Sequence, residues 1–260
     1  MSFQVSPVPF ETIKPFRDLY RNELNCQIIH DSAHYREKCF QSYLIKSGSE
    51  IAGYGSVWIG DYWMAKGSIF EFYLLPDYHP SLFTLFEYFF HELDPPRIYA
   101  QTNDPFLGIL IFDYVQEVTT EHILFSDGFR TNCTIRDVKF RRLRSDEKDN
   151  AFKHHTEPVG EWALEISERV VATGGILFHY NRPYGDIFME MDDEFRRQGL
   201  GRFLVQELKG VCYQSGSIPA ARCKPTNTAS RKTLEGAGFV PCGRLIYGNT
   251  ATSKNKNKKS

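Results

Sequence analysis

Apolar residues recur along this chain with two periods, and the switches between those periods outline its elements. From Phe10 to Leu24 they return every three or four positions, which predicts an amphipathic helix. Alternation takes over from Ser42 to Ile59, predicting two strands about a turn at Ser47-Gly48-Ser49, and Ser68 to Leu75 reads as another, rich in aromatic and branched residues. Ser81 to Leu93 is apolar on almost every side (Leu82, Phe83, Leu85, Phe86, Phe89, Phe90, Leu93), so a helix here is buried on more than one face. After the breaker Asp94-Pro95-Pro96, Arg97 to Thr102 reads as a short strand.

The second half runs through the same order. Trp162 to Ile166 and Val170 to Tyr180 read as strands across a turn at Ser167-Glu168, and Asp186 to Met191 as a third. Gly201 to Gln214 reads as a helix with Leu204, Leu208, Val211 and Cys212 on its apolar face. Ala220 to Lys224 is a strand, Ala229 to Gly236 a helix closing at Gly238, and Val240 to Tyr247 a last strand.

Three local matches link the halves. Ile51-Ala52-Gly53-Tyr54-Gly55 aligns with Val171-Ala172-Thr173-Gly174-Gly175, Leu74-Leu75-Pro76-Asp77-Tyr78 with Met191-Asp192-Asp193-Glu194-Phe195, and Thr102-Asn103 with Thr226-Asn227. The offsets of 120, 117 and 124 residues differ only by what short loops absorb. The chain therefore reads as two copies of one α/β (or α+β) domain, over residues 1–135 and 136–250. A linker is expected near Gly128 to Arg144, and residues 251–260 read as a disordered, lysine-rich tail.

Composition narrows the function classes. Hydrophobic residues are 42% and charged residues 24%, which excludes a disordered chain. Lys+Arg 31 against Asp+Glu 32 leaves a net charge of −1, no field to recruit nucleic acid or an anionic membrane. The basic run Lys139, Arg141, Arg142, Arg144 reads as solvated linker rather than a nucleic-acid patch. The 6 cysteines form no CxxC pair and are too sparse for a disulfide scaffold. With no secretory pattern and no apolar run of bilayer length, the expectation is a cytoplasmic protein with reduced thiols, a monomer or homodimer. His154-His155 lacks a third ligand at useful spacing, so no metal is expected.

One segment carries chemistry. In DIFMEMDDEFRRQGLGRFLVQELKGVC a strand runs into Arg196-Arg197-Gln198-Gly199-Leu200-Gly201 and at once into an amphipathic helix. Glycines there permit a tight turn and remove side chains, while the helix start offers free N–H groups to an anion such as a diphosphate. The pattern Arg196-x-x-Gly199-x-Gly201 resembles the acetyl-CoA signature of the GNAT N-acetyltransferases. Asn227-Thr-Ala-Ser230, followed by Leu234-Glu235 and Gly238-Phe239, resembles that family's closing pattern.

The resemblance implies two GNAT-like domains, each a mixed, splayed, mainly antiparallel sheet flanked by helices, with acetyl-CoA as co-substrate in the second. It implies that the backbone of Met189 and Met191 pairs with the pantetheine arm. It also implies that the stretch Arg196, Arg197, Gln198, Gly199, Leu200, Gly201 and Arg202 holds the diphosphate, with Asn227 and Ser230 near the thioester end. Transfer to an amine needs a base, for which Glu190 stands first, with Asp186 and Asp192 behind it. The family's usual acid, a tyrosine seven residues after the asparagine, is Leu234 here, leaving Tyr213, Tyr247 and Ser230 as substitutes. In the first half His79-Pro80-Ser81-Leu82-Phe83-Thr84 stands where the glycine loop belongs, so that copy reads as degenerate. The expected acceptor is a small-molecule amine. A catalytically inactive CoA-binding module and a peptide N-acetyltransferase stay open as alternatives.

Overall fold

The alternating segments of the first half form a mixed sheet in the computed structural model of the chain, which describes residues 2–149 and 151–251. In chain order come β1 (Phe3–Val8), α1 (Phe10–Leu24), β2 (Phe40–Ser47), β3 (Glu50–Trp58), β4 (Ser68–Leu74), α2 (Leu82–Leu93), β5 (Arg97–Gln101), α3 (Leu107–Tyr114) and β6 (Val115–Asp127). The second half supplies β7 (Lys139–Arg142), β8 (Trp162–Ile166), β9 (Arg169–Leu177), β10 (Tyr184–Met191), α4 (Leu200–Gln214), β11 (Ile218–Cys223), α5 (Thr228–Gly236) and β12 (Phe239–Thr250). Among the described residues no helix is long and apolar enough to cross a membrane.

The chain packs as two compact units, one of residues 2–122 with 243–251 and the other of residues 123–242. This division differs from a boundary at 135/136. In the first unit the strand order is β1-β2-β3-β4-β5, and residues 245–249 of β12 pair antiparallel with β5. In the second, residues 123–126 of β6 pair antiparallel with β11, which is followed by β10, β9, β8 and β7. The outer edge of β11 is thus closed by a segment that precedes the expected linker. Within that linker, Lys139–Arg142 pairs with β8 as an edge strand. The expected tail lies, apart from residue 251, outside the described residues.

In the first unit Phe86 and Phe89 of α2 pack on Phe72 of β4, and Gly55 leaves room for the Phe89 ring that a Cβ would strike. The opposite side of β4 holds a buried ion cluster. Arg17 of α1 binds Glu71 of β4 through Nε at 2.7 Å and Asp31 through Nη2 at 2.7 Å. Tyr54 donates to Glu71 at 2.8 Å, and His34 Nε2 lies 3.1 Å from the same carboxylate. Burial opposes ionisation of Glu71, yet the Arg17 and His34 partners hold its carboxyl well below the usual range. Nearby, burial pushes the Asp104 carboxyl up to about 7 despite hydrogen bonds from Phe106 N and Tyr20 Oη.

Equivalent hydrogen bonds recur in the two units and fix the alignment of the halves. Leu75 N donates to Ala52 O as Asp192 N does to Val171 O, and Gly108 N donates to Asp104 O as Arg231 N does to Asn227 O. Ala52 therefore matches Val171, and Asp104 matches Asn227, each one residue from the register read in the sequence. His79 Nε2 contacts Leu74 O at 2.8 Å and Arg196 Nη2 donates to Met191 O at 3.4 Å, which keeps the middle match as read.

Two outcomes test this core. Arg17→Met strands Glu71 and Asp31 without their buried partner and should cost about 3–5 kcal/mol, measured by urea unfolding. Because the folded Asp104 pKa lies above its unfolded value of about 4, its contribution is full below that pH and is lost as pH rises through about 7. Asp104→Asn should therefore stabilise the chain relative to wild type at pH 8 more than at pH 5, read from the unfolding midpoints.

Candidate active site

Strands β10 and β11 run parallel but pair only from Tyr184↔Ile218 to Asp186↔Ala220. Beyond that point β10 stays on β9 as far as Met191, and β11 stays on β6 as far as Cys223, so the two part. Asp192 N donates outward to Val171 O of β9 at 3.0 Å. Strand alternation then turns the backbone groups of Glu190 and Phe188 toward β9 and those of Ile187, Met189 and Met191 toward the gap. Side chains alternate as well. Ile187, Met189 and Met191 pack with Leu200, Leu204 and Leu208 of α4, which sends Asp186, Phe188 and Glu190 to the opposite face.

The loop after β10 is shaped by its backbone. Asp192 accepts from Glu194 N at 3.2 Å and binds Arg169 at 2.6 Å, which fixes the exit of the strand. Arg197 (φ 63°) and Gly199 (φ 81°) are both left-handed, and α4 starts at Leu200 with no side-chain cap on its first amides. Those amides lie at the positive end of the helix dipole, and Arg196, Arg197 and Arg202, adjacent in sequence, are exposed. A Cβ at Gly201 would lie 3.3 Å from Thr233 and 3.6 Å from Met189 Sδ, so glycine lets α4 approach both α5 and β10. Gln198 donates to Glu194 O at 3.4 Å within the loop. At the start of α5, Asn227 Oδ1 accepts from Ser230 N at 3.0 Å.

The expected catalytic residues are placed very differently from one another. Glu190 is buried, and its carboxylate accepts from His155 N (2.7 Å), Thr156 N (3.0 Å), Thr156 Oγ1 (3.3 Å) and Glu157 N (2.7 Å). Burial raises its carboxyl, but the three backbone donors and His154 outweigh that and hold it below the usual range. Glu190 is thus an anchor for residues 155–157, and a carboxylate so occupied is a poor proton acceptor. Tyr247 sits in the other unit, paired with Tyr99 and covered by the Arg97 guanidinium. Tyr213 donates to Asp127 at 2.8 Å, and Leu234 is core. Burial raises the Cys223 thiol, against the pull of Arg231 and the Ser230 hydroxyl, and pushes Cys212 up to about 12, so both are neutral packing groups.

Asp186 has a partner that sequence reasoning missed. His179, in the turn before β10, places Nε2 2.9 Å from Asp186 Oδ2, and Arg222 Nε of β11 lies 3.6 Å from the same oxygen. The signal was a histidine seven residues ahead of an acid across a turn, which only the strand phase makes meaningful. Among the described residues, no group of three His, Cys, Asp or Glu is placed to hold a metal ion.

Comparisons bear on the same stretch. Residues 127–239 match the model of the acetyltransferase (GNAT) family. A GNAT-family acetyltransferase from Colwellia psychrerythraea superposes with a TM-score of 0.72 at 12% identity, over 95% of this chain and 99% of that one. A tandem GNAT protein from the clavulanic acid biosynthesis pathway gives 0.61 at 8% identity, over 96% and 99%. A GCN5-related N-acetyltransferase from Sphaerobacter thermophilus gives 0.59 at 13%, over 95% of each chain. At these identities the likeness is one of fold. No curated protein is matched.

The anchor role of Glu190 predicts a local effect. Glu190→Ala should accelerate hydrogen exchange at the amides of His155, Thr156 and Glu157 while leaving the α4 amides protected, as read by exchange mass spectrometry or NMR.

Proposed function

We propose that the chain, whose residues 127–239 match the acetyltransferase (GNAT) family model, is an acetyl-CoA-dependent N-acetyltransferase that moves the acetyl group directly to a primary amine of a small molecule. The observation that carries this reading is the parting of β10 from β11 beside a loop stripped of side chains at Gly199 and Gly201. The gap suits an extended arm that hydrogen-bonds to Met189 and Met191 as an added strand. The left-handed loop suits the diphosphate, whose charge meets the amides from Arg197 to Arg202 and the exposed arginines. Asn227 and Ser230 sit at the start of α5, where they would flank the arm. Glu190 supports this site by holding residues 155–157 rather than by taking a proton. Free cysteines and balanced charge fit a cytoplasmic enzyme acting without nucleic acid or membrane.

A second reading has one observation in its favour. Leu234, buried in the core, supplies no proton where the family pattern has a tyrosine, as in a CoA-binding module without turnover. Thiol release from acetyl-CoA with a panel of primary amines and a panel of peptides separates that module from an enzyme and small amines from peptide acceptors.

Calorimetry with acetyl-CoA tests the placement. Wild type should bind one equivalent, and Gly201→Glu, which puts a carboxylate in the first turn of α4, should weaken binding by more than about tenfold. Thr84→Glu, the matching change in the first unit, should leave affinity unaltered. Two equivalents per chain, or unchanged affinity in Gly201→Glu, would falsify the assignment.

A further inference from the structure

The point at which β10 and β11 part is marked by a charged cluster on the face opposite α4. Asp186 closes the last parallel pair and is 5% exposed, so its carboxylate has left water almost entirely. A buried carboxylate persists only where hydrogen bonds and charge offset the desolvation. Here His179 and Arg222 do so, from the turn before β10 and from β11. Tyr180 stacks edge-on against the imidazole at 4.5 Å between centroids. The His179 side chain itself is 29% exposed. One ring nitrogen is thus directed to a buried acid while the ring reaches the surface, the arrangement that fixes a tautomer and leaves Nδ1 to accept a proton.

The site lies at the far end of the gap from the glycine loop. From Met191 back to Ile187 is four residue steps, about 13 Å along the strand. An arm laid against β10 from the diphosphate loop over that length would reach Asp186 and His179.

We propose that His179 is the base of the transfer and Asp186 its positioning residue, and that the acceptor arrives at the parting point as an ammonium ion; this rests on the transferase reading above. The ammonium gives one proton to His179 Nδ1, and the neutral amine attacks the thioester carbonyl. The C–N bond forms, the C–S bond breaks, and the second proton lost from nitrogen ends on the departing sulfur as the CoA thiol. The imidazolium then returns its proton to solvent. The charged and titratable groups around the imidazole are Asp186 of β10, Arg222 of β11 behind it and Tyr180 in the same turn, with Cys242 of β12 beyond Tyr180.

Imidazole NMR and CoA-release kinetics on the full chain test this. The His179 Cε1–Hε1 resonance, assigned by its absence in His179→Gln, should move on saturation with acetyl-CoA. It should stay in place with 3′-phosphoadenosine 5′-diphosphate, which lacks the arm. His179→Gln should bind acetyl-CoA as wild type does yet release CoA to primary amines about 10²–10⁴-fold more slowly. Raising the pH should partly rescue its rate, since more of the acceptor amine is then already neutral. Asp186→Asn should slow CoA release and alter the His179 tautomer as read from its imidazole 15N shifts, because the acceptor that holds Nε2 is gone; an aspartate with no hold on the ring would leave those shifts in place. Binding of acetyl-CoA with an unmoved His179 resonance, or wild-type CoA release by His179→Gln, overturns this proposal alone. Absence of acetyl-CoA binding by the wild-type chain overturns the transferase reading with it.

Discussion

A parallel strand pair that stops after Asp186↔Ala220 governs the rest of this domain. Each strand is held from its outer side, β10 by β9 from Asp186 to Met191 and β11 by β6 from Ala220 to Cys223. Neither is free to close the gap. Because backbone and side chains alternate together, the same constraint decides two things. It turns the polar groups of Met189 and Met191 toward the opening, and it divides the side chains between the α4 core and the face that carries Asp186 and Glu190.

The first unit keeps this scaffold but not the left-handed glycine loop. Its β4 and β5 also run parallel, with Ile69↔Ile98 as their pairing. Strand β4 leads into a 3-10 turn over Pro76–Ser81, and Leu82 has φ −50° where the second unit has the left-handed Gly199. Pro80 has no N–H, and His79 contacts the carbonyl of Leu74. The carboxylate on the inner face of β4, Glu71, is consumed by Arg17, His34 and Tyr54. Without αL residues the amides do not converge, so a shared strand layout does not carry shared chemistry.

How much of the molecule was legible in the sequence depends on how local each constraint is. The glycine loop was readable because φ near +81° at residue 199 is a demand of the backbone itself, one that leaves glycine as its mark. The long amphipathic helices α1 and α4 and the strands β3, β9 and β10 were readable for the same reason. Strand β1 was not, since Pro7 reads as a breaker and is tolerated only at an edge. Helix α3 was not, since LGILIFDY is too short and too uniformly apolar for its period to show. The closing of β11 by residues 123–126, and of β5 by residues 245–249, depends on segments distant in sequence, and no local pattern encodes them. The one-residue slips in the internal alignment belong here too, because matches of type do not fix a register that hydrogen bonds decide.

The same distinction separates the two acids of β10. Asp186 and Glu190 lie on one face of one strand and are equivalent by composition. Their surroundings make them opposites. Around Glu190 a loop turns three amides inward, so its oxygens are spent on backbone donors and its negative charge is stabilised where it sits. Around Asp186 the partner is an imidazole that keeps a second nitrogen and reaches solvent. A carboxylate saturated by amides holds a structure still, whereas one that holds a histidine passes its influence to a group able to exchange a proton. Which acid holds a loop and which holds a side chain is therefore set by the hydrogen-bonding partner each one meets.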